Sequence, residues 1–184
     1  MTKAELLNLL EISPIIAAVR DDGWEDALAS PAEVIFYLKA NLLTVRQRVT
    51  EAKQNGKALF IHIDLADGIG KDRTGIEFLA QCGVEGIIST RNQLISIAKE
   101  KGLLSVQRFF ALDSQGIESL RDSVGTADLL EIMPGIVPKI IEKFAKGGAV
   151  VIAGGLIETK DEVLAALKAG ATAVSTGKEA LWSI

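Results

Sequence analysis

The sequence predicts an α/β fold, a compact TIM-type (βα) barrel of seven or eight parallel strands that is either complete or lacks one unit. Two observations carry this. Short β-branched apolar runs alternate eight times with longer segments of helical period, and several runs are apolar throughout, as strands buried on both faces should be. A third sets the scale: 184 residues fall below the size of about 200 usual for such barrels, so the helices must be short.

A helical lead covers about residues 2–11, and the strands are expected at Ile15–Val19, Val34–Leu38, Ala58–Asp64, Gly86–Ser89, Leu104–Phe109, Leu129–Ile132, Val150–Ala153 and Ala173–Ser175. Between them, Leu42, Val45, Val49 and Ala52 recur at spacings of three and four, which puts one apolar stripe on a helix. Ile140, Ile141 and Phe144 repeat the pattern, as do Val163 and Leu167. Capping boxes are expected where Thr90 precedes Gln93, Thr159 precedes Glu162 and Thr176 precedes Glu179. Gly56, Gly102 and Gly170 mark helix ends. No linker or low-complexity stretch interrupts residues 1–184, so one domain is expected.

Composition narrows the chemistry. Twenty basic against 24 acidic residues give a net charge of -4, so any binding to nucleic acid must rest on a local patch. One cysteine and one histidine exclude a disulfide framework and multi-histidine or cysteine metal centres. Cys82 reads as a small packed hydrophobe. No apolar run approaches the roughly 18 residues of a membrane span, and the acidic start at Glu5 does not fit a signal peptide. A cytoplasmic protein is expected.

In a parallel βα array the ligand site lies where the strands end at their carboxyl side. There, Gly154 and Gly155 close the seventh strand, and Ser175, Thr176 and Gly177 close the eighth. Glycine lets an anion approach the backbone, and a following helix start adds partial positive charge, so these segments predict a phosphate cup. Asp64 and Glu131, at other strand ends, are candidate ligand-facing carboxylates. His62 shares the side of the third strand with Phe60 and Asp64, and a lone histidine on an apolar strand is most often a core residue. Arg91 and Arg108 either fork onto a phosphate or pair with Asp64 or Glu131. Lys57 and Lys139 are not in the inward position that a Schiff-base lysine needs.

These segments resemble one known family. Pro14 to Asp21, Phe60 to Leu65, Gly86 to Arg91, Gln107 to Phe110, Glu131 to Gly135, Ala153 to Ile157 and Ala173 to Thr176 are similar, in order, to those of the glycerol uptake operon antiterminator regulatory proteins. The resemblance implies a barrel that binds glycerol 3-phosphate and acts on leader mRNA to prevent premature termination of transcription. It implies a sensor, so no catalytic residue, metal or cofactor is assigned. Carried onto this chain, the ligand-facing set is Arg20, Asp64, Arg91, Arg108, Glu131, Gly154, Gly155, Ser175 and Thr176, to which the cup adds Gly177. The chain departs from the family at Lys39, Ala40 and Asn41, where a glycine–aspartate turn is usual.

Two stretches concentrate positive charge for RNA: Lys39, Arg46, Arg48, Lys53 and Lys57 around the second crossover, and Lys139, Lys143 and Lys146 on a later helix. The competing expectation is an isomerase, epimerase or lyase on a small phosphorylated substrate, with Asp64 and Glu131 as acid and base. The same cup would serve either, and an oligomer remains open.

Overall fold

The structure is a computed structural model that describes residues 1–111 and 125–184. Eight strands, β1 Ile15–Val19, β2 Val34–Tyr37, β3 Ala58–His62, β4 Gly86–Ser89, β5 Leu104–Phe110, β6 Leu129–Met133, β7 Val151–Gly154 and β8 Ala173–Thr176, form a closed barrel in sequence order. Every pairing is parallel, and β8 closes on β1 through Ile15 opposite Val174 and Ala17 opposite Thr176. The barrel is therefore complete with eight strands.

Brevity of the crossovers makes this fit. The helices are α1 Lys3–Ile12, α2 Trp24–Ala29, α3 Val45–Gln54, α4 Arg73–Cys82, α5 Asn92–Glu100, α6 Pro138–Lys146 and α7 Lys160–Lys168, and β8 is followed by a single 3₁₀ turn, Glu179–Leu181. Val45, Val49 and Ala52 bury their faces on α3, but Leu42 lies ahead of the helix and is 40% exposed. Cys82, half-buried on α4, packs against the core.

Of the three expected capping boxes, one forms: Thr159 and Glu162 bond reciprocally at the start of α7. Thr90 instead donates its hydroxyl to Asp64 Oδ2 at 3.0 Å, and Arg91 stands at the cap of α5 without a side-chain bond. Thr176 donates to the Ile157 carbonyl at 2.8 Å. In both cases the hydroxyl donates to a partner distant in sequence and the capping box does not form. A box the pattern did not announce joins Thr2 and Glu5 on α1. The left-handed turns at Gly56, Gly102 and Gly170, with φ of 69°, 75° and 99°, end their helices as expected.

The core has two layers. One lies between strands and helices. The other fills the barrel with inward residues including Ile16, Phe36, Phe60, Ile88, Val106, Leu129 and Ile152, and α1 contributes Leu6 and Leu10 to it. Each of those two leucines is 1% exposed, and burial of each contributes about 2 kcal/mol. Among the described residues no helix is long and apolar enough to cross a membrane.

Candidate functional site

The strand period of two builds the site. Two positions beyond the apolar inward residues Phe60, Val106, Leu129 and Ala173 come His62, Arg108, Glu131 and Ser175, so the barrel interior turns from apolar to polar near its carboxyl end. Glu131 is 1% exposed and Arg108 is 8% exposed. Arg108 Nε donates to Glu131 Oε2 at 2.6 Å, and Ser175 Oγ donates to Glu131 Oε1 at 2.6 Å. The carboxylate is thus held on both oxygens, as a buried charge must be. Arg108 Nη1 lies 3.4 Å from His62 Nδ1. Nη2 has no hydrogen-bond partner among the described residues.

Above this network opens a cavity of about 310 Å³, lined by Arg108, Glu131, Gly155, Ser175, Thr176 and Gly177 of the expected set. Thr176 ties its two main loops together: its hydroxyl donates to Ile157 of the β7 loop and accepts from the Lys178 amide at 3.0 Å. The β7 loop turns through two consecutive left-handed residues, Gly155 at φ 73° and Leu156 at φ 60°. For leucine that conformation costs roughly 1–2 kcal/mol, and the strain sits on the cavity wall. Gly154 lies beneath the cavity rather than in its lining. Leu156, Glu158 and Lys178 also line the cavity; sequence reasoning stopped at Gly177 and missed them, although Lys178 follows directly as a cation beside the cup.

Asp64 occupies a different corner. The expected strand runs to Asp64, but β3 ends at His62 and Asp64 sits in a 3₁₀ turn, Ile63–Leu65. There it accepts from Ser89 Oγ at 2.9 Å, from the Thr90 amide at 2.7 Å and from the Thr90 hydroxyl, and Arg91 Nε approaches to 3.6 Å. Burial works to raise its pKa, but the His62 ring and the Ser89 and Thr90 bonds outweigh that and hold the carboxyl far below the usual carboxylate range. Asp64 faces an open depression of about 610 Å³ together with Arg20, Lys39 and Lys71. Lys39 pairs there with Asp67 at 3.7 Å. The ten candidates therefore divide into six on the cavity, Gly154 below it, and Asp64, Arg91 and Arg20 around the neighbouring corner.

The sequence from residue 15 to 182 matches the model of the family described as glycerol-3-phosphate responsive antiterminator. The chain belongs to this antiterminator family. A glycerol uptake operon antiterminator regulatory protein from Listeria monocytogenes is 33% identical, with a TM-score of 0.85 over 91% of this chain and 94% of that one. A glycerol uptake operon antiterminator-related protein from Thermotoga maritima is 34% identical, with a TM-score of 0.82 over 92% and 98% of the two chains. The Escherichia coli K12 protein called uncharacterized protein YgcP is 33% identical over 97% of this chain and 96% of its own length. Aldolase barrels also superpose, at 13–15% identity, which is a likeness of fold alone.

The structure redistributes the cations of the two expected basic stretches. In the first expected patch, Arg48 pairs with Asp21 at 3.3 Å and Glu51 at 3.1 Å and stacks 4.9 Å from the Trp24 ring. Lys57 donates to the carbonyls of Ser30 and Ala32, and Arg46 lies 5.1 Å over Phe78. Arg48 and Lys57 are thus engaged by the fold, while Lys39, Arg46 and Lys53 stay exposed. On α6 of this antiterminator-family barrel, Lys139, Lys143 and Lys146 are exposed, and Lys146 pairs with Glu142 at 2.6 Å. Among the described residues no group of three or more metal-ligating side chains is present.

Proposed function

We propose that this chain is a glycerol 3-phosphate sensor that, when loaded, acts on leader mRNA to promote antitermination of glycerol-utilisation genes in the cytoplasm, leaving the ligand unchanged. One observation carries the reading: a buried arginine whose Nη2 has no hydrogen-bond partner among the described residues lines a cavity at the strand ends, together with Gly155, Gly177 and Lys178. A permanent cation, glycine-lined backbone and a second cation suit a small phosphate ester. The names of the Listeria and Thermotoga relatives support the regulatory role. Binding changes the population competent for RNA only to the extent that the ligand prefers one state over the other.

Geometry speaks against acid–base catalysis by the two carboxylates. Glu131 is held on both oxygens by Arg108 and Ser175, and Asp64 stays ionised far below neutral pH, which makes it a poor proton carrier near pH 7. Among the described residues no lysine is buried in the barrel, so a Schiff base has no evident origin.

The test is calorimetry with glycerol 3-phosphate and with glycerol, followed by binding of a leader transcript with and without the phosphate ester. Binding of the ester alone, tighter RNA affinity in its presence and full recovery of the ester are expected. Lys178→Glu lowers ester affinity about tenfold or more without moving the melting temperature, since Lys178 makes no ion pair among the described residues. Turnover of the ester, or RNA affinity indifferent to it, defeats the proposal.

A further inference from the structure

Arginine is a donor-only group with a permanent charge, so His62 Nδ1, which faces Arg108 Nη1 at 3.4 Å, must present a lone pair. That puts the ring hydrogen on Nε2 of a neutral imidazole. Nε2 is buried without a hydrogen-bond partner among the described residues, and Asp64 Oδ2 lies 3.7 Å from it. This is too long for a hydrogen bond, yet close enough for the anion to favour an N–H on that side. The ring is therefore polarised along one line, with its lone pair toward a cation and its hydrogen toward an anion. The other tautomer places a hydrogen against the guanidinium and a lone pair against the carboxylate.

We propose that His62 is a positioning residue: its Nδ1 lone pair, kept toward Arg108 by Asp64 behind the ring, fixes the guanidinium so that Nη2 remains for the cavity. The division of labour is complete. Glu131 takes Nε, His62 takes Nη1, and the third nitrogen is left for an anion. A histidine that is 4% exposed with an orphaned ring nitrogen is costly as mere filling, because an apolar side chain would fill the space without the unpaired group. This inference rests on the cavity being the anion site.

Two measurements test it. The chain has a single histidine, so ¹⁵N-histidine NMR reads its two ring nitrogens without assignment by mutation. Hydrogen on Nε2 and a bare Nδ1 at pH 7.5 are expected, and hydrogen on Nδ1 or on both nitrogens overturns the proposal. Calorimetry with glycerol 3-phosphate then compares His62→Asn with His62→Leu, which share one branched shape. Asparagine can place Oδ1 where Nδ1 stood, and leucine cannot. His62→Asn is expected to stay within about threefold of wild type, and His62→Leu to weaken about tenfold. Equal affinities in the two variants overturn the proposal. Should His62→Leu not fold, the ring-nitrogen result decides. Failure of the wild-type protein to bind the ester defeats the sensor reading instead, and leaves the tautomer to be judged by NMR.

Discussion

Glu131 and Gly154 share one volume: a Cβ on Gly154 would lie 2.5 Å from Glu131 Oε1 and 2.7 Å from Ser175 Oγ. The first glycine of the pair is thus required by a buried carboxylate and its hydroxyl partner, whereas the second, Gly155, shapes the cavity wall. The two are adjacent in sequence but serve different parts of the site.

Gly154→Ala is accordingly expected to push Glu131 off its partners and to destabilise the protein by about 2–4 kcal/mol, the cost of overpacking plus a disturbed buried charge. Urea denaturation measures this directly. A variant that unfolds at the wild-type midpoint contradicts the packing described here.

Glu131→Ala leaves Arg108 charged, buried and unmatched, and is expected to cost about 3–5 kcal/mol. Replacing both partners, Glu131→Leu with Arg108→Met, restores most of that stability, because a packed apolar pair tends to be no worse than a buried ion pair. Ligand affinity should not return in the double variant. Denaturation and calorimetry on the same samples separate the two effects.

Alkaline pH addresses Tyr37. Burial, together with the hydrogen bond its hydroxyl donates to Asp21 at 2.5 Å, pushes the Tyr37 pKa up to about 12. The folded state therefore holds the phenol proton more tightly than the unfolded chain, whose pKa is about 10. Its stabilising contribution is complete below about pH 10 and is lost as pH rises toward about 12. Between pH 9 and roughly 11.5 the melting temperature should fall more steeply for wild type than for Tyr37→Phe, and parallel curves would show that this proton is not held by the fold.

Cations on the surface make opposite predictions for RNA. Lys139→Ala with Lys143→Ala should reduce the slope of log affinity against log salt for a leader transcript by about 1.4–2. Arg48→Ala should leave that slope unchanged while lowering stability by about 1–2 kcal/mol, because Arg48 is committed to Asp21, Glu51 and the Trp24 face. A slope that responds to Arg48 and not to the α6 lysines reverses this assignment.

How much of this could be read from sequence follows the range of the interactions. Strands such as Ile15–Val19 and Gly86–Ser89 appear at their expected bounds, since a run buried on both faces leaves a contiguous apolar signature. Thr159 caps as expected because its partner lies three residues away. Thr90 does not, because Asp64 is 26 residues away and no local pattern records it. The engagement of Arg48 and Lys57 within the basic stretch around α3 was hidden for the same reason: their partners include Asp21 and Ser30, each 27 residues distant. Arg108 had pairing and ligand binding as alternatives; the structure shows the pairing, with Nε on Glu131, and leaves Nη2 without a partner among the described residues. Lys178 and Leu156 escaped notice because strand-end reasoning stops at the strand, while the cavity is completed by the loop beyond it.

The single turn that follows β8 has an optical consequence. Trp182, 3% exposed, donates its indole N–H at 2.9 Å to the carbonyl of Thr176, a residue that lines the cavity. With Trp24→Phe removing the other indole, emission from Trp182 becomes a label-free gauge of that rim. If glycerol 3-phosphate enters the cavity, a change in Trp182 emission on its addition to the purified variant is the expected readout.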